Sequence, residues 1–318
     1  MHSGGGSSFI GWGATDGQHK MKLLQVMRRV LSHPLNRGKR TAAFLRVLRW
    51  QLAARLLPEA QFSLPYINDS RLLVTRGMTD ATGNFYCGLH EQDEMGFALH
   101  VLRPGDVFVD IGANVGSYTV LAARLGARVV AIEPIPATFD RLVANVRLNG
   151  LESSVTAHRL GLSDRNGTLR FTTDHGTINH VMAATENRAG VDIEVATLDS
   201  ILAGFSPALI KIDVEGHELA VLNGAGRALG SASLLAVIME TNGSGLRYGI
   251  SDAQLYEQME TRGFEPYTYS AVPRKLTRLD ISAGASVLNT IFIAPGKIDE
   301  VRALIARAPR VTLINGSI

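Results

Sequence analysis

The stretch DIGANVGSY, residues 110–118, most constrains how this chain can fold. It ends a short β-branched run, DVFVDI (106–111), and opens the helical pattern VGSYTVLAARLG, which stops at Gly126. A strand that turns through glycines into a helix is half of a βαβ unit, and the next strand must lie parallel to the first. RVVAIEP (128–134) supplies that strand. The alternation continues with the helix PATFDRLVANVRLNG, which has Pro136 near its start and Gly150 at its end. Further strands read at VTAHRLGLSD (155–164), ALIKIDV (208–214) and SLLAVIME (233–240). SDAQLYEQMETRGF opens with a Ser251–Gln254 capping-box spacing and closes at Gly263. EPYTYS and SVLNTIFIAPG follow without a crossover helix, which predicts an antiparallel hairpin at that edge. The expectation is an α/β doubly wound sheet. Ligands in such sheets lie outside the C-terminal strand ends, here just after residues 111, 134, 163, 214 and 240.

Composition bounds the alternatives. The chain has 318 residues, 46% of them hydrophobic, enough for one large core or a core plus a smaller attachment. No apolar run approaches the roughly 18–20 residues of a membrane span. One cysteine, Cys87, excludes a disulfide framework and a thiolate metal cluster, and is compatible with a reducing, cytoplasmic compartment.

The net charge of +3 is unevenly spread. Residues 20–57 hold ten Lys and Arg and no Asp or Glu, whereas residues 58–318 hold 22 basic and 28 acidic residues. Residues 1–19 are Gly/Ser-rich and aperiodic, with no basic region before an apolar core, and read as a flexible leader or tag. Residues 20–57 read as two amphipathic helices broken near Pro34–Gly38. Leu23, Val26, Met27, Val30 and Leu31 share one face of the first, and Leu45, Leu48, Leu52 and Leu56 one face of the second. Such an arm either caps the sheet or a second protomer, as in a homodimer, or contacts an anionic surface. The surface would be the inner face of a membrane; no module for nucleic acid accompanies it. The expected organisation is a leader (1–19), a basic helical extension (20–85), a catalytic domain (86–297) and a tail packing on that domain (298–318).

At the glycine turn, Gly112 and Gly116 permit close backbone approach to a ligand. Glu133 ends the second strand, where a carboxylate can accept hydrogen bonds from both hydroxyls of a ribose. Dinucleotide sites need G-x-G-x-x-G, but Asn114 stands at the middle glycine. Asp110 would also repel a pyrophosphate, yet suits the ammonium and sulfonium of S-adenosylmethionine. A methyl-donor site is the favoured reading, against a nicotinamide oxidoreductase or a non-catalytic, membrane-associated binding protein on the same fold.

PGDVFVDIGANVGSYT, IEP, LGLSD, LDSI and IKIDVEGHE, in this order over about residues 90–296, resemble the FkbM-type S-adenosylmethionine-dependent O-methyltransferases. The resemblance implies a class I methyltransferase fold and methyl transfer to a hydroxyl, on a sugar, a lipid-linked saccharide or a secondary metabolite. It implies that Asp110, Gly112, Ala113, Asn114 and Gly116 line the methionine end. Glu133 and Pro134 would hold the ribose, and Ser163 and Asp164 would lie near the adenine. Glu91, in LHEQDE, falls where the family often carries an acidic residue.

The fourth strand runs into a charge cluster, IKIDVEGHE. Strand alternation puts Lys211, Asp213 and Glu215 on one face. Asp213 or His217 can take the proton of an acceptor hydroxyl or orient it, and Lys211 can hold neighbouring carboxylates ionised. Glu218 reads as a solvated first-turn carboxylate stabilised by the helix dipole. Asp213, Glu240 and Asn242 meet at one sheet edge, where their oxygens could bind Mg²⁺, the alternative being a hydrogen-bond network without metal. His175, Asn179 and His180, in TTDHGTINHVM, are candidates for a polar lid over the acceptor pocket, against a plain solvated hairpin.

Overall fold

The computed structural model describes residues 16–173, 179–183, 185–281 and 287–318, and for residues 16–23 and Asp80 the backbone alone. The leader's residues 1–15, and His175, lie outside the described residues.

The central sheet has eight strands: β1 (Val107–Ile111), β2 (Arg128–Ile132), β3 (Val155–His158), β4 (Leu209–Ile212), β5 (Ala236–Glu240), β6 (Glu265–Ser270), β7 (Lys275–Arg278) and β8 (Asn289–Ile293). They lie in the order β7-β6-β8-β5-β4-β1-β2-β3. The five strands from β5 to β3 are parallel, and β8, β6 and β7 pair antiparallel. This is the doubly wound α/β sheet expected from the sequence, with the order reversing at β1 and β4. The antiparallel edge is wider than a hairpin: β8 inserts between β5 and β6, and the polar KLTR segment adds β7 outside them.

Strand alternation sorts the core into two faces. Val107, Val109, Ile111, Ile210, Ile212, Val237 and Met239 pack on one side. Phe108, Leu209, Ala236 and Ile238 pack on the other. Asp110 and Lys211 continue the rows of Phe108 and Leu209, and lie opposite each other in the β1–β4 register.

The long third run read at 155–164 divides. Residues 155–158 stay in the main sheet, while Gly161–Leu162 pair with residues 195–196 in a separate three-stranded sheet completed by Gly167–Thr172. Gly161 suits the close packing there: a Cβ on it would lie 2.8 Å from the Phe171 ring.

The basic arm forms helices α1 (Asp16–Ser32) and α2 (Arg40–Leu56), broken by a short 3₁₀ turn at Pro34–Asn36. Val30, Ala43, Val47, Trp50 and Ala54 join the same core as the Phe108 face of the sheet. The leucine face read in the second helix is therefore not the packing face. Leu45, Leu48, Leu52 and Leu56 are 43%, 42%, 60% and 69% exposed. Small residues and Trp50 allow the close packing instead. Two cations of the arm serve structure: Arg46 donates to Asn36 Oδ1 and the Tyr86 carbonyl, and Lys39 to the Asn315 carbonyl. Val311, Leu313 and Ile318 of the tail enter the same core. No helix among the described residues is long and apolar enough to cross a membrane.

Candidate active site

A cavity of about 520 Å³ opens at the C-terminal ends of β1, β2, β4 and β5. Its floor is the turn after β1. Gly112 adopts φ +73°, and a Cβ there would lie 1.8 Å from the Asp213 carbonyl oxygen, so only glycine lets the ends of β1 and β4 approach this closely. Asn114 also takes a left-handed backbone, φ +52°. The turn closes onto β2 as Gly112 and Ala113 donate backbone N–H to the Ile132 carbonyl.

Glu133 is buried and accepts from the backbone N–H of Asn114 and of Ile135, one per oxygen, both at 3.0 Å. Burial pushes its carboxyl up to about 7, opposed by those two N–H groups. Each oxygen keeps a second lone pair for a ligand hydroxyl. Asp110 is 1% exposed; its Oδ2 accepts from Thr119 at 2.6 Å, whereas its Oδ1 is buried without a hydrogen-bond partner among the described residues. Burial raises the Asp110 pKa against the pull of Lys211. A buried carboxylate oxygen left unsatisfied beside a cavity calls for a donor from outside the chain. An amino acid ammonium is such a donor, so the site's chemistry fits S-adenosylmethionine.

Lys211 reaches out from β4 and donates to Asp213 Oδ2 at 2.8 Å. Its ammonium also lies 4.9 Å from the centroid of the Tyr118 ring, a cation–π contact. Burial alone would lower its pKa, but the carboxylates of Asp213, Asp110 and Glu91 outweigh burial and raise it. Lys211 is therefore a fixed cation. Tyr118, the second residue of the helix Ser117–Arg124 after the glycine turn, donates to Glu91 Oε2 at 2.8 Å. Its place two residues after Gly116, at the start of the helix, is the signal in the sequence for this role.

β4 ends at Ile212, and the strand alternation read through Glu215 breaks. Glu215 takes φ +56° and Gly216 φ +105°. A Cβ on Gly216 would lie 2.6 Å from the Ser244 carbonyl. The sharp turn leaves Asp213, Val214, Glu215 and His217 all on the cavity wall. His217 precedes the helix Glu218–Asn223, with Nε2 3.3 Å from Ser163 Oγ and its ring edge-on to Tyr248. Burial lowers its pKa, opposed by the Asp164 charge. Glu218 is not solvated: it is 1% exposed, and its Oε1 accepts from the backbone N–H of Val214 and Gly216. It staples the turn that carries the site.

Ser163 and Asp164 fall just outside the cavity wall; Ser163 touches the site through His217. Asn179 lines the cavity, whereas His180 turns to Glu186 at 3.1 Å. The arm contributes as well, for Arg29 of α1 borders the cavity together with His90 and Glu91.

The proposed Mg²⁺ set, Asp213, Glu240 and Asn242, forms a network of a different kind. Asp213 holds the Lys211 ammonium. Burial and then the charges of Asp213 and Glu215 push the Glu240 carboxyl well above its ordinary range. Asn242 donates to Glu240 at 2.6 Å, and its own oxygen accepts from Ser244 N–H. The oxygens of the set are thus engaged within the chain, Asp213 with the Lys211 ammonium and Glu240 with the Asn242 amide. Among the described residues, no group of three or more His, Cys, Asp or Glu is placed to hold a metal ion.

Residues 110–266 match the methyltransferase FkbM domain. The chain carries an FkbM methyltransferase domain. The chain is similar to the hexuronic acid methyltransferase AglP of Haloferax volcanii, 32% identical over 150 residues, which are 46% of this chain and 61% of AglP. The chain thus spans less than two thirds of that relative's length. It is also 28% identical over 193 residues to the methyltransferase sdnD of Sordaria araneosa, 49% of this chain and 73% of that protein. Among solved structures, a precorrin-6y C5,15-methyltransferase from Geobacter metallireducens overlaps 64% of this chain and 87% of its own, at 14% identity and a TM-score of 0.38.

Proposed function

We propose that the FkbM domain binds S-adenosylmethionine and methylates a hydroxyl of a saccharide-type or secondary-metabolite acceptor. One observation carries the reading: buried Asp110 and Lys211 meet half-buried Asp213 where β1 and β4 end, against a turn that only glycine can make. When bound, S-adenosylmethionine supplies an electrophilic methyl group. Asp110 Oδ1 would hold its ammonium, and the Glu133 oxygens its ribose hydroxyls.

The chain's own groups divide the remaining work. Lys211 fixes Asp213 in place and balances the buried negative charge. Asp213 orients the acceptor hydroxyl by accepting its hydrogen bond. His217, kept neutral by burial, is available to take the hydroxyl proton. Leu162, Phe171 and Val181 give the cavity an apolar wall that excludes water from one side. The name of AglP supports a saccharide as the acceptor class.

The test is transfer of label from S-adenosylmethionine carrying a tritiated methyl group to saccharide acceptors, free uronic acids included. The wild-type chain should label an acceptor, and Asp213→Asn should lose transfer while retaining S-adenosylhomocysteine binding. Labelling of no saccharide or metabolite fraction by wild type would overturn the acceptor assignment.

A further inference from the structure

We propose that the outward face of α2 docks on an anionic lipid bilayer. At about 100° per residue, Leu45, Leu48, Leu52 and Leu56 fall within about 80° of arc. Ala43, Val47, Trp50 and Ala54 occupy the opposite side and fill the core. The leucines continue onto Phe44, which is 37% exposed. A contiguous apolar stripe on a helix already packed through its other face marks an interaction surface.

Charge selects the occupant. Arg49 borders the stripe on one side and Arg55 on the other; both are exposed and neither makes an ion pair among the described residues. Residues 20–57 contain no Asp or Glu. In the interface plane, leucines enter the acyl boundary while arginine stems reach back to lipid phosphates. A negative leaflet attracts this one-sign surface. A second copy of the chain fits less well: an isologous contact through the stripe would oppose Arg49 and Arg55 to the same residues of the other copy, with no carboxylate between them. The helix would lie along the surface, being neither long nor apolar enough to span.

The test is sedimentation of the full chain with phosphatidylcholine vesicles containing phosphatidylglycerol, against phosphatidylcholine alone. Binding should require phosphatidylglycerol and fall in high salt. Leu48→Glu with Leu52→Glu, and separately Arg49→Ala with Arg55→Ala, should each weaken it roughly tenfold or more. These side chains are exposed, so thermal unfolding of both variants should match wild type. Failure to bind the anionic vesicles would overturn the proposal. So would binding indifferent to the leucine changes, or a dimer, without vesicle binding, that the leucine changes dissociate.

Discussion

The ammonium of Lys211 lies 2.8 Å from the carboxylate of Asp213, and its strand neighbour across the β1–β4 register is the buried Asp110. One cation thus serves two carboxylates at the floor of the cavity. Lys211→Met keeps the stem but leaves both acids without it. Removing one partner of a buried ion pair costs about 3–5 kcal/mol. Urea unfolding should show a loss of that order, and Asp110→Asn in the same chain should restore part of it. An unchanged midpoint would mean that the pair is not buried as described.

Gly112→Ala tests the contact between the ends of β1 and β4. The added Cβ would meet the Asp213 carbonyl at 1.8 Å from a backbone at φ +73°. Backbone must move at both strand ends. The variant should melt lower and lose S-adenosylhomocysteine binding, measured by thermal shift with and without ligand. Wild-type behaviour in both would refute the turn geometry.

Glu218 gives stability a pH dependence of defined sign. Its ordinary pKa of 4.5 is pushed up to about 7, chiefly by burial, against the pull of the backbone N–H groups it accepts from. The folded state therefore favours the neutral acid. That stability is complete below about pH 4.5 and is lost as pH rises through about 7. Glu218→Gln keeps an acceptor for Val214 and Gly216 but cannot ionise. The melting temperature of wild type should fall relative to Glu218→Gln across that window, and a constant difference would contradict the assignment.

A catalytic role for His217 predicts one limb of the rate profile. Burial holds its pKa below the ordinary 6.5, so the ring is neutral at neutral pH. If it takes the acceptor proton, kcat rises as pH increases through a value below 6.5 and is level at neutrality. His217→Gln should lower kcat and abolish that inflection. Persistence of the inflection would assign it to another group.

The strand–turn–helix signature and the presence of five strands were legible because local pattern specifies them, β-branched runs, glycine at the turn and a carboxylate at Glu133, although the third strand leaves the sheet after His158. Asp110, Glu133 and Asp213 were found where that pattern put them. Other features depend on what lies across the fold. Glu218 looks like a solvated first-turn acid until Val214 and Gly216 are seen to donate to it. Leu45 and Leu48 look like a packing face, yet Ala43, Val47 and Trp50 fit closer to the sheet and take it. Glu215 broke the expected alternation because the chain turns through a left-handed residue that ordinary periodicity does not anticipate. Asp213, Glu240 and Asn242 do converge, but composition cannot reveal that Asp213 holds the Lys211 ammonium and that Asn242 donates to Glu240.

The most direct measurement is titration calorimetry of S-adenosylhomocysteine into the full chain, repeated with Asp110→Ala and Glu133→Ala. The account predicts one-to-one binding to wild type, weakened roughly tenfold or more in each variant as a charge-assisted or paired hydrogen bond is lost. No binding to wild type, or stabilisation by a nicotinamide dinucleotide in its place, would contradict it.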